Sequence, residues 1–122
     1  EEGMRKILNY GHTIGHALEI ATEYQHYTHG EAVLKGMYVE ALMARELGLI
    51  DPAYYNEISA LIQETGVGLN LDELLHKNLI NSMQKDKKNR GGNISFVLPC
   101  NKGETAEVLM TKEEVSHLLQ KL

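Results

Sequence analysis

The apolar residues of this chain change their spacing once, and that change limits the folds open to it. Over residues 4 to 24, Ile7, Leu8, Ile14, Ala17, Leu18 and Ala21 recur at three- and four-residue steps, which predicts a helix. Residues 23–28 break the repeat, and it resumes over roughly 30 to 47. There Ala32, Val33, Gly36, Met37, Val39, Ala41, Leu42 and Ala44 cover more than one stripe, the pattern of a helix central to a bundle. Gly48 stops it. Asp51-Pro52 supplies an N-cap and a first-turn proline for a third helix, with Tyr55, Ile58, Leu61 and Ile62 in period until Gly66 and Gly68. Asn70 or Asp72 caps a fourth, which carries Leu74, Leu75, Leu79, Ile80 and Met83 and runs into residues 85–90. After Gly91-Gly92 the period becomes two: Ile94, Phe96 and Leu98 alternate with Ser95 and Val97, a short strand closed by Pro99. A second strand over 106–110 follows through Asn101-Lys102-Gly103. Thr111-x-x-Glu114 has capping-box form and opens a last helix bearing Val115, Leu118, Leu119 and Leu122. The fold class expected is mainly α and multi-helical, with a small two-stranded β element near residues 93–110.

At 122 residues and 43% apolar content, the chain suffices for one domain with a real core, and no linker divides it. Twelve Lys and Arg against seventeen Asp and Glu give a net charge of −5, which argues against a general nucleic-acid surface. No apolar run approaches the roughly 20 residues of a membrane span. A single cysteine, Cys100, excludes an internal disulfide framework, and with no signal segment a cytoplasmic location is expected. The chain opens Glu1-Glu2-Gly3 without an initiator methionine, a few residues before its densest motif, so a fragment of a longer protein is expected.

That motif is Asn9-Tyr10-Gly11-His12-Thr13-Ile14-Gly15-His16-Ala17. Four-residue spacing puts His12 and His16 on one helical face, as metal ligands require and as core histidines bonded to carbonyls also allow. Gly11 and Gly15 would each cost roughly 1 kcal/mol inside a helix, so another helix, a substrate or a cofactor must approach that backbone closely. His29-Gly30-Glu31 adds an imidazole at a helix start, and His12, His16 and His29 can meet from two segments. Glu1 and Arg5 are four apart and read as a solvated ion pair. Four of the six residues from Lys85 to Arg90 are basic, a solvated turn or a seat for an anion. Cys100 has no cue for activation.

Residues 5–19, then His29-Gly30-Glu31-Ala32-Val33, Gly36-Met37, Asp86-Lys87-Lys88 and residues 91–98, together resemble 3-dehydroquinate synthase. His-Gly-Glu-Ala-Val alone is also similar to iron-containing alcohol and glycerol dehydrogenases. The resemblance implies the C-terminal, mostly helical, metal- and substrate-binding domain of a sugar-phosphate cyclase over residues 1–122, with the NAD-binding N-terminal domain elsewhere in the same chain. It implies a divalent metal, zinc or cobalt, held by His12, His29 and an upstream glutamate. It further implies proton transfer by His16, a proton-accepting Glu1, and substrate contacts from Arg5, Asn9 and one of Lys87 and Lys88. The implied lyase reaction converts 3-deoxy-D-arabino-heptulosonate 7-phosphate to 3-dehydroquinate and phosphate on the shikimate route to chorismate and the aromatic amino acids. NAD is oxidant and then reductant, and the full-length enzyme is a homodimer. These 122 residues alone are then expected to be inactive. Other readings are a cyclase of the 2-deoxy-scyllo-inosose or valiolone type, a metal-dependent polyol dehydrogenase, or a helical interaction module without metal.

Overall fold

The computed structural model describes residues 10–21, 28–67, 77–84 and 93–122. Within them lie α1 (His12–Ala21), α2 (His29–Glu46), α3 (Pro52–Glu64), α4 (Lys77–Gln84), β1 (Ile94–Pro99), β2 (Thr105–Met110) and α5 (Lys112–Lys121). The expected fold class holds: the described residues form five helices and one two-stranded antiparallel sheet. Asn70, Asp72, Leu74, Leu75 and the basic run of residues 85–90 lie outside the described residues.

Helix α2 is the axis of the domain, packed against α1, α3, β1 and α5. Its start is set by a capping box: the Glu31 N–H donates to Thr28 Oγ1 (3.2 Å) and the Thr28 N–H to Glu31 Oε1 (2.9 Å). His29 is thereby the first helical residue. Replacing Thr28 with alanine is expected to cost about 1 kcal/mol, read as a lowered midpoint in chemical denaturation. At the other end Gly48, at φ 71°, lets its own N–H reach Arg45 O (3.1 Å) while Leu49 N–H reaches Ala44 O (2.9 Å), a Schellman closure. The predicted Asp51 cap of α3 is present, accepting from the Tyr54 N–H at 3.2 Å with Pro52 in the first turn.

The core is a single cluster to which every element contributes: Ile14 and Leu18 from α1, Val39 and Met43 from α2, Ile58 from α3, Leu79 and Met83 from α4, Phe96 and Leu98 from β1, Met110 from β2 and Leu119 from α5. The hairpin register pairs Ile94 with Met110, Phe96 with Val108 and Leu98 with Ala106. Ile94, Phe96 and Leu98 face the core as the alternation predicts, and Val97 on the opposite face is covered as well. No described helix is long and apolar enough to cross a membrane.

One expectation is corrected. The periodicity predicts an unbroken helix over residues 4–24, with Gly11 inside it, whereas Gly11 sits at φ 86° in a turn and α1 begins at His12. Left-handed backbone cannot continue an α-helix, and the apolar repeat does not register such a break. What approaches these glycines is α2. A Cβ on Gly15 would stand 2.9 Å from Ala32 O, and one on Gly36 would stand 2.7 Å from Gly15 N and collide with Gly11 O. The glycines thus have a packing role, with α1 and α2 in backbone-to-backbone contact.

Candidate functional site

That contact brings the ends of two helices together. The rings of His12, first residue of α1, and His29, first residue of α2, lie with centroids 5.9 Å apart and planes inclined at 57°. A zinc–nitrogen bond of about 2.1 Å puts an imidazole centroid about 3.2 Å from the ion, so two rings on one ion have centroids no more than about 6.4 Å apart. The observed separation is within that limit.

Each ring is also held by its other nitrogen. His12 Nδ1 is 3.3 Å from Tyr10 O, and His29 Nδ1 is 3.1 Å from Glu19 Oε1. A carbonyl and a carboxylate are acceptors, so both Nδ1 atoms donate and the lone pair of each neutral ring falls on Nε2. An imidazole bonded through Nδ1–H to carbonyl or carboxylate is the usual arrangement behind a metal-ligating Nε2, and on this chemistry the pair fits a divalent ion. Among the described residues no group of three His, Cys, Asp or Glu side chains is placed to hold a metal.

His16 lies one turn along α1 from His12 with its side chain 53% exposed, and its Nδ1 is 4.0 Å from Glu19 Oε1. That same carboxylate oxygen is the one His29 Nδ1 rests on. Glu1, Arg5, Asn9, Lys87 and Lys88 lie outside the described residues. His12 also borders an apolar concavity of about 770 Å³, shared with Tyr10, Met37, Leu61 and Lys102.

The turn that carries His12 is anchored from α2. Glu40, fully buried, accepts from the Gly11 N–H through Oε1 (3.0 Å) and from the Ile14 N–H through Oε2 (3.2 Å). These are the N-cap and N3 donors that a capping box satisfies locally; here one carboxyl group from another helix serves both. Tyr10 donates its hydroxyl to Met37 O at 2.6 Å, and Thr13 donates its own to Ser95 O at 3.1 Å, tying α1 to α2 and β1. Burial, and then the nearby Glu40 carboxyl, push the Tyr10 phenol well above its ordinary range, so it remains a donor.

Burial raises Glu40 from 4.5 to about 8 against the opposing pull of its two N–H donors. The folded chain therefore keeps a proton that the unfolded chain has released. Through this group, stability is expected to fall as pH rises from about 4.5 to about 8. Chemical denaturation of the wild type and Glu40→Gln across that window checks it, since the variant lacks this contribution to the slope.

Neither the apolar repeat nor the histidine spacing marks out Glu19, Glu40, Tyr10 or Thr28. Thr28-x-x-Glu31 is a legible capping signal, and Glu40 stands out as an acidic residue inside an otherwise apolar run from Val39 to Ala44. Glu19 is seven residues from His12 and three from His16, on the same stripe of α1.

The fold is that of sugar-phosphate cyclases. A crystal structure of 2-deoxy-scyllo-inosose synthase superposes with a TM-score of 0.67 at 24% identity, over 94% of this chain and 32% of that one. Another, complexed with carbaglucose-6-phosphate, NAD+ and Co2+, gives 0.70 at 26% identity over 94% and 34%. Residues 1–89 match the family described as 3-dehydroquinate synthase C-terminal, and the chain belongs to that family. Relatives named 3-dehydroquinate synthase include those of Alkaliphilus metalliredigens (strain QYMF), 52% identical over 98% of this chain and 33% of the relative, and Thermoanaerobacter sp. (strain X514), 44% identical over 98% and 34%. The chain spans about a third of the length of these relatives.

Proposed function

We propose that these residues are the C-terminal, metal- and substrate-binding part of a 3-dehydroquinate synthase, which converts 3-deoxy-D-arabino-heptulosonate 7-phosphate to 3-dehydroquinate and phosphate. The observation that carries this reading is the pairing of His12 and His29 with each Nδ1 held by an acceptor. Their Nε2 atoms hold the ion, with a third donor from the segment upstream of residue 1. A bound divalent ion acidifies and orients substrate hydroxyls, and NAD, bound by the N-terminal domain, supplies transient oxidation of one of them.

The chain's own residues do the rest. His16, exposed one turn from His12, moves a proton at its ring nitrogen, and Glu1 accepts one. Arg5, Asn9 and one of Lys87 and Lys88 orient the substrate's phosphate and carboxylate, which shortens the search for the reacting geometry. The full-length protein acts as a homodimer in the cytoplasm.

The test is phosphate release by the full-length protein with NAD and either the heptulosonate phosphate or a hexose 6-phosphate, before and after chelation. Turnover of the first alone, lost on chelation and restored by zinc or cobalt, is expected. A preference for the hexose phosphate would instead favour a 2-deoxy-scyllo-inosose type of cyclase, the reading suggested by the ligand of the solved neighbour. Turnover indifferent to chelation would overturn the metal assignment.

A further inference from the structure

His29 is the more exposed of the two facing imidazoles, with 67% of its side chain open, yet its Nδ1 rests on a carboxylate that is only 8% exposed. A ring so open to water, at the end of a helix, would rotate between rotamers and exchange its Nδ1–H and Nε2–H tautomers unless something fixed it. Glu19 supplies that restraint. It is carried by α1, the helix that also bears His12 and His16, and α1 is locked to α2 by the contacts of Gly11 and Gly15 with Gly36. The buried carboxylate thus extends from a backbone held in place relative to the start of α2.

We propose that Glu19 is a positioning residue for the metal: by accepting from His29 Nδ1–H it selects the tautomer whose Nε2 carries the lone pair and holds the ring in the orientation seen against His12. This rests on the metal-ligand reading of His12 and His29 above. Among the described residues Glu19 does not form a three-residue ligand set with His12 and His29, and its Oε1 meets the Nδ1 side of the His29 ring, away from Nε2. The same oxygen lies 4.0 Å from His16 Nδ1, beyond hydrogen-bond distance, so the restraint falls on His29.

The experiment measures zinc affinity of the full-length protein by competition with a chromophoric chelator, for Glu19→Ala, Glu19→Gln, His12→Ala and His29→Ala, with folding followed by circular dichroism. Glu19→Ala is expected to weaken zinc binding 10- to 100-fold, with turnover recovering at saturating zinc. Glu19→Gln keeps an acceptor and a similar shape, so it should lose much less, and it remains informative if the alanine variant does not fold. Nitrogen-15 spectra of the metal-free histidines should show His29 as the Nδ1–H tautomer in the wild type and as a mixture in Glu19→Ala. Wild-type zinc affinity in a folded Glu19→Ala, while His29→Ala loses the metal, overturns the role of Glu19 and leaves the ligand reading standing. Wild-type affinity in His12→Ala and His29→Ala as well overturns both.

Discussion

Replacing Gly36 with alanine is expected to destabilise the protein by about 3 kcal/mol or more, because the new Cβ would meet backbone on two sides. Its neighbours would be Gly11 O and Gly15 N, and main-chain atoms of a packed helix cannot rotate aside as a side chain would. Relief requires α1 and α2 to separate, which opens the core around Ile14, Leu18, Val39 and Met43. Gly30 provides the control. Nothing lies within 4 Å of a Cβ built there, so Gly30→Ala should be neutral or stabilise α2 by up to about 1 kcal/mol. Chemical denaturation of the two variants distinguishes a contact requirement from a general intolerance of glycine loss. Since the helix separation also sets the spacing of His12 and His29, Gly36→Ala should in addition bind zinc more weakly wherever it still folds.

His12→Ala and His29→Ala are each expected to lower turnover of the full-length enzyme about a thousandfold, some 4 kcal/mol of barrier, and to strip the metal on dialysis. Either change leaves one imidazole from this chain, and a single Nε2 with one upstream donor holds a divalent ion poorly. Metal analysis after gel filtration, beside the rate, is the check. Retained metal in both variants would remove the basis for the assignment. The imidazoles are partly exposed, so folding should change little, unlike Gly36→Ala, and this separates loss of the ion from loss of the fold.

Most helix positions and the hairpin are legible because apolar spacing and local capping chemistry encode them. Ile94, Phe96 and Leu98 show the two-residue period of a strand, and Asp51-Pro52 and Thr111-x-x-Glu114 mark helix starts by local chemistry. The break at Gly11 was not legible, since the apolar repeat runs through it and only the left-handed backbone reveals it. For the site, the motif around His12 and His16 and the position of His29 at a helix start were readable from residue type and spacing. The likeness of Gly11 and Gly15 to a ligand-binding backbone was ambiguous, and the structure resolves it toward packing on α2. The positions of Glu19 and Glu40 are visible in the sequence, but their partners are not, for a shared reason. Each acts across to another helix or the turn before it, at separations of 10, 26 and 29 residues, which no local pattern reports.

The carboxyl group of Glu40 has a bearing on how the chain matures. Because the donors at the start of α1 are satisfied from a position 26 and 29 residues downstream, that end of the helix is not finished when residues 10–21 leave the ribosome. It waits until α2 has been synthesised and has docked. The turn presenting His12 is therefore completed only together with α2, the helix that carries His29.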